Sequence, residues 1–145
     1  MAYLYFDIEY AIRTHDMILE ISGGIQGVID AGRLESILQH IQNDDYYSEY
    51  ESKLTHLVYS VNKNHCFNDG NKRTSIALGA FFLELNGLDG YATKFIREME
   101  NVAVAVADNL IDKDLLREIV CSLINEPEYN EQLKLKIIQA LSENE

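Results

Sequence analysis

The sequence has no tryptophan, a single proline and only two cysteines in 145 residues, and its 12 Lys and Arg are outnumbered by 24 Asp and Glu. Cys66 and Cys121 are too few and too far apart for a disulfide framework or a zinc cluster, and they read as reduced thiols of a cytoplasmic protein. The formal net charge of −12 repels a polyphosphate backbone, so nucleic acid is not an expected partner. No stretch approaches the ~18 apolar residues of a membrane span, and the N-terminus has no basic segment leading into an apolar one. Neither export nor membrane insertion is therefore expected. What is present is ordinary: 47% hydrophobic and 25% charged residues, enough for one packed core.

The patterning is helical from end to end, with almost no period-two alternation, which predicts an all-α fold. Asp7 is placed to cap a first helix with Ile8, Ala11, Ile12, His15, Ile18 and Leu19 in its stripe, and Gly23-Gly24 ends it. Asp30 opens a second helix carrying Leu34, Ile37, Leu38 and Ile41. Asn43 to Tyr50 break the pattern and read as a loop or a short extended flap. Helix resumes near Glu51 with Leu54, Leu57, Val58 and Val61 on one side, and His65 falls on that side where the helix should stop. The stretch from Lys72 to Asn86 is apolar on nearly every face, as expected of a rod at the centre of a bundle. Two further helices carry Phe95 to Leu110 and Leu115 to Leu123. Beyond Pro127 a last amphipathic helix bears Leu133, Ile137, Ile138 and Leu141, before a tail from Ser142 expected to fray. We divide the chain into a domain over residues 1–126 and a C-terminal helix, 127–145, packed on it or on a partner.

The polar turn from His65 to Ser75, HCFNDGNKRTS, lies between an amphipathic helix and the apolar one, where polar residues need a reason. The first N–H groups of a helix lack partners and carry the positive end of its dipole, so they favour phosphate. Gly70 lets a ligand approach the backbone, and Lys72 and Arg73 concentrate positive charge on an acidic protein. Asp69 offers the single hard carboxylate with which Mg²⁺ is held beside substrate phosphates, and His65 can take a proton from an attacking hydroxyl near neutral pH. Together these residues suit group transfer from a nucleotide, with Phe67 anchoring the turn.

HxFxDGNKRTS followed by IALGAFFLELNG resembles the Fic/Doc family, and within it the Doc (death-on-curing) branch. The resemblance implies a compact α-helical bundle with a short flap before the catalytic helix, for which a β-hairpin is one form left open. It implies transfer of AMP or a phosphoryl group from ATP or another nucleoside triphosphate, with Mg²⁺, to a hydroxyl of a target protein. His65 then becomes the general base, Asp69 the metal ligand, and Gly70, Asn71, Lys72 and Arg73 the phosphate-binding set. Members that transfer AMP read HPFx(D/E)GNGRxxR, whereas here Cys66 replaces Pro, Lys72 replaces the second Gly and Ile76 replaces the second Arg. A lysine partly fills the cradle that glycine leaves bare, and the loss of a guanidinium removes a bidentate clamp. Both changes favour presenting the γ-phosphate, so the expected activity is that of a kinase. The Doc pattern also implies a toxin with an antitoxin partner and a target in the translation machinery. AMP transfer by the same residues and a catalytically silent nucleotide-binding or interaction module remain the alternatives.

Other features carry plainer readings. His15 lies on an apolar stripe and reads as a core histidine, Cys66 as a packing residue, and Tyr46, Tyr47 and Tyr50 as loop anchors or part of the flap that docks a target strand. Ser122 and Glu126 have the spacing of an inhibitory (S/T)xxxE(G/N) helix, but Pro127 takes the final position and breaks the match.

Overall fold

The computed structural model describes residues 3–142. It contains α1 (Ile8–Ser22), α2 (Ala31–His40), α3 (Tyr50–Lys63), α4 (Asn71–Leu85), a 3-10 turn (Asp89–Tyr91), α5 (Ala92–Ala107), α6 (Lys113–Asn125) and α7 (Glu131–Ser142). The fold is all-α, with no strand among the described residues. None of these helices is long and apolar enough to cross a membrane. Residues 143–145, where fraying was expected, lie outside the described range.

Helix starts follow side chains that satisfy orphan N–H groups. Asp7 accepts from Tyr10 N at 2.9 Å, Asp30 from Arg33 N at 2.9 Å and Asp112 from Leu115 N at 2.8 Å. Asn130 does the same for α7, accepting from Leu133 N at 2.8 Å. Gly23, at φ 79°, closes α1 with its N–H on the carbonyl of Leu19.

Helix α4 is the central rod, packed between α3 and α5 and touching α1. Leu78, Phe82 and Leu83 are fully buried, each contributing roughly 1.5–3 kcal/mol of apolar transfer. Gly79 sets the crossing distance: a Cβ there would sit 2.8 Å from both Phe95 Cζ and Val58 Cγ2. The central position of α4 matters for function because its N-terminus is held rigidly at one end of the bundle, facing out. Helix α7 rests on α6, with Leu133 buried and Leu135, Ile138 and Leu141 exposed.

Between α2 and α3 the chain forms turns rather than a hairpin. Tyr46 N and Tyr47 N both reach Asn43 O, at 3.2 and 2.9 Å, and Asp45 N reaches Asn43 Oδ1 at 3.0 Å, so local bonds consume the groups a ladder would need. Tyr47 and Tyr50 are anchors as expected, Tyr47 on His56 and Tyr50 stacked on Phe82 at 5.1 Å, while Tyr46 is 75% exposed. The segment that runs extended is instead the α1–α2 connection, where Val28 pairs with Phe67 in an isolated antiparallel bridge.

Candidate functional site

Helix α3 ends at Lys63, with Asn64 as its cap. Arg33 Nη1 donates to the freed carbonyl of Asn64 at 2.6 Å. His65 follows with φ 49°, a left-handed conformation that costs a non-glycine residue of order 1–3 kcal/mol and that clusters at functional sites. This reversal leaves the His65 imidazole exposed while Cys66 and Phe67 turn into the core, both fully buried. Burial pushes the Cys66 thiol up, which makes it a packing residue rather than a nucleophile.

Three supports hold the turn that follows. Asn71 closes it on itself, its Oδ1 accepting from Phe67 N at 3.2 Å and its Nδ2 donating to Phe67 O at 2.9 Å. The α1–α2 connection straps it from outside: Ile29 N and Asp30 N donate to Cys66 O at 2.8 and 3.2 Å, and Asn68 N donates to Gly27 O at 3.0 Å. From beneath, the buried His15 ring stacks on Phe67 with centroids 3.8 Å apart and an interplanar angle of 7°.

Gly70 is the N-cap of α4, at φ 79°, and no side chain caps the helix. The first intrahelical bond is Thr74 N to Gly70 O at 2.9 Å, and Gly70 N is taken by Asp69 Oδ1 at 2.8 Å. The N–H groups of Asn71, Lys72 and Arg73 therefore have no acceptor among the described residues, an arrangement that suits phosphate oxygens. A Cβ at Gly70 would meet Leu19 Cδ2 at 3.0 Å and the His15 ring at 3.7 Å, so the floor of the turn is closed to any larger residue.

The Asp69 carboxylate faces the strap as well, accepting from Ile25 N at 3.2 Å through Oδ2. The bonds from Ile25 and Gly70, with Arg73 nearby, hold this carboxyl below the usual carboxylate range, so it is an anion at any pH near neutral. Among the described residues no group of three or more His, Cys, Asp or Glu surrounds a metal position. A lone carboxylate beside free helix N–H groups fits Mg²⁺ held through substrate phosphates and water, and does not fit a structural zinc or calcium cage.

All six sequence-predicted site residues come together. His65, Asp69, Gly70, Asn71, Lys72 and Arg73 line one cavity of about 230 Å³, with Asn62, Asn68 and Ala107 completing its wall. Lys72 and Arg73 are exposed, and Arg73 Nη1 also reaches Ser22 Oγ at the end of α1. The Asn71 side chain is committed to Phe67, so what it can offer an anion is its backbone N–H. A larger groove of about 650 Å³ between the N-terminal segment, α2 and α4 contains none of the motif residues. Glu126 lines a different cavity, beside α7, together with Ser122 and Lys136, and is not positioned to block the one at His65.

Two residues escaped the sequence reading. Asn62 is 3% exposed and lines the cavity; its Nδ2 donates to Ala103 O at 2.9 Å, while its buried Oδ1 has no partner among the described residues. His15 was legible as a core histidine, but not its bond to the turn: its Nε2 lies 2.7 Å from Asp69 O. No local pattern announces either contact.

The model of the Fic/DOC family matches residues 5–83, from the N-terminal segment to near the end of α4. A curated protein, "Protein kinase doc" of Escherichia phage P1, is 37% identical over 84 residues, which is 55% of this chain and 66% of that protein. The chain thus aligns with just under two thirds of the relative's length.

Proposed function

We propose, from the premise that this chain belongs to the Fic/DOC family, that it transfers the terminal phosphoryl group of a nucleoside triphosphate to a hydroxyl side chain of a protein target. The observation that carries the reading is Lys72, which stands in the first turn of an uncapped helix N-terminus, in the His65 cavity, where AMP-transferring members have glycine. A primary ammonium there is a point charge suited to the outermost phosphate. The name of the phage relative, a protein kinase, points the same way.

In this reading the N–H groups of Asn71, Lys72 and Arg73 and the two cationic side chains bind the phosphates and fix their direction. Asp69 would hold Mg²⁺, which when bound neutralises phosphate charge. His65 accepts the proton of the target hydroxyl at a ring nitrogen as that oxygen forms a bond to the γ-phosphorus. The bond from the γ-phosphorus to the β,γ-bridging oxygen breaks, and the nucleoside diphosphate leaves with the bridging oxygen. The αL turn at His65 suits this role because it holds the imidazole away from the core, over the phosphate cradle.

As in the resemblance above, we read the chain as a growth-arresting toxin countered by an antitoxin, with its target in the translation machinery. The deciding experiment supplies ATP labelled separately at the α and γ positions to host proteins, followed by mass spectrometry of the modified species. Label from the γ position and an added phosphate are expected, and His65→Ala should abolish both while the protein stays folded. Label from the α position would establish AMP transfer instead, and a His65→Ala protein that still arrests growth would establish a binding module.

A further inference from the structure

His15 is the one fully buried imidazole in contact with the catalytic turn, and packing alone does not explain its polarity. Its Nε2 lies 2.7 Å from the main-chain oxygen of Asp69 and its Nδ1 lies 3.1 Å from Asp16 Oδ1. A carbonyl oxygen only accepts, so Nε2 must carry a proton and donate it. The ring is 0% exposed and its face is clamped against Phe67, so it can neither swing away nor trade this bond for water. Phenylalanine would fill the same slot without the polar edge.

The bonded carbonyl belongs to the peptide that joins Asp69 to Gly70. The orientation of that peptide sets two things together: the direction of the Asp69 carboxylate, and the start of α4, whose N–H groups face the cavity. Gly70 N is already tied to Asp69 Oδ1 at 2.8 Å, so with the carbonyl oxygen held by His15 both ends of the peptide are fixed. The contact spans 54 residues of sequence and crosses from α1 to the turn before α4, so it couples the phosphate-binding turn to the body of the bundle.

We propose that His15 is a positioning residue: it donates a hydrogen bond to Asp69 O that fixes the Asp69–Gly70 peptide, and with it directs the free N–H groups of α4 into the cavity where phosphates would bind. The assignment rests on the phosphoryl-transfer reading for its purpose, but not for its detection. Asp16 Oδ1 lies 3.1 Å from the ring's other nitrogen, where a carboxylate supports the ring only when Nδ1 also carries a proton to donate.

Two substitutions separate positioning from packing. His15→Phe keeps an aromatic ring against Phe67 and removes the donor, whereas His15→Gln gives up the stack and keeps an N–H able to reach Asp69 O. Amide hydrogen exchange of Asn68, Gly70 and Thr74, whose N–H groups are hydrogen-bonded in and beside the turn, measured without any nucleotide, should accelerate about tenfold or more in His15→Phe, as expected when a buried carbonyl loses its partner and the turn opens locally. His15→Gln should return exchange to within about threefold of the original protein, the outcome that a surviving hydrogen bond predicts. In label transfer, His15→Phe should raise KM for ATP-Mg far more than it lowers kcat, and His15→Gln should restore it. Equal damage in both variants, or unchanged exchange in His15→Phe, would reduce His15 to packing. Should His15→Phe fail to fold, ¹⁵N chemical shifts of the ring in the unsubstituted protein decide: Nε2 protonated is expected, and a bare Nε2 overturns the proposal. Because exchange and ring shifts need no nucleotide, their failure is distinct from a failure of ATP to donate phosphate.

Discussion

His65 sits in a backbone conformation that glycine adopts at lower cost. His65→Gly is therefore expected to raise stability by roughly 1 kcal/mol, seen as a higher denaturant midpoint, while abolishing transfer; a lower midpoint would remove backbone strain from the account of this turn. Lys72→Ala tests the cradle. Losing one charge-assisted bond to phosphate, worth about 1.5–3 kcal/mol, should weaken ATP binding by roughly 10- to 100-fold with no change in melting temperature, since Lys72 is exposed. Calorimetric titration measures it, and unaltered affinity would place the phosphates elsewhere. These residues were legible because His65, Asp69, Lys72 and Arg73 lie within nine consecutive positions, so their chemistry is written locally. The Asn62 side chain and the His15 bond were not, because their partners, Ala103 and Asp69, are distant in sequence and only folding brings them near.

Among elements, the capped helices were the easiest to foresee. Asp7 and Asp30 each satisfy an N–H three residues on, an interaction complete within one turn. The region before α3 was harder. Three tyrosines and paired aspartates fit a flap as well as a loop, and the choice fell to turns once Asn43 O captured two amides. The extended backbone beside the site arose instead at residues 27–30, because Cys66 O and Gly27 O found partners across the two segments. Helix α4 rests on the closeness of its neighbours at Gly79. Gly79→Val would drive methyl groups into Phe95 and Val58 and should cost about 1–3 kcal/mol or more, lowering the melting temperature. An unchanged melting temperature would mean that α3 and α5 are free to move apart.

Across the whole molecule, α2, the turns after it, α3 and α6 meet at His56, which is 9% exposed. Tyr47 OH and Lys113 Nζ both point at its Nδ1 from 2.9 Å, with Ser60 Oγ at 3.3 Å and the His40 ring tilted against it at 5.8 Å. Burial, with Lys113 and His40 adding to it, pushes this imidazole from 6.5 down to about 4. Below the higher value the unfolded chain takes a proton that the folded protein refuses, so His56 lowers stability progressively as pH falls from 6.5 towards about 4 and has no such effect above 6.5. Melting curves near pH 7 and near pH 5 should show a smaller loss for His56→Gln than for the unsubstituted protein; identical losses would mean that other groups carry the acid sensitivity. The amino-acid order alone determined the helical class, the rod-like character of α4 and the chemistry of the turn before it, because periodicity, caps and the motif are short-range properties. Tertiary structure alone decided which side chains support that turn from below, which segment straps it and where Glu126 points. Each of those depends on the packing of helices remote in sequence, and on which buried polar atom finds a partner once water has gone.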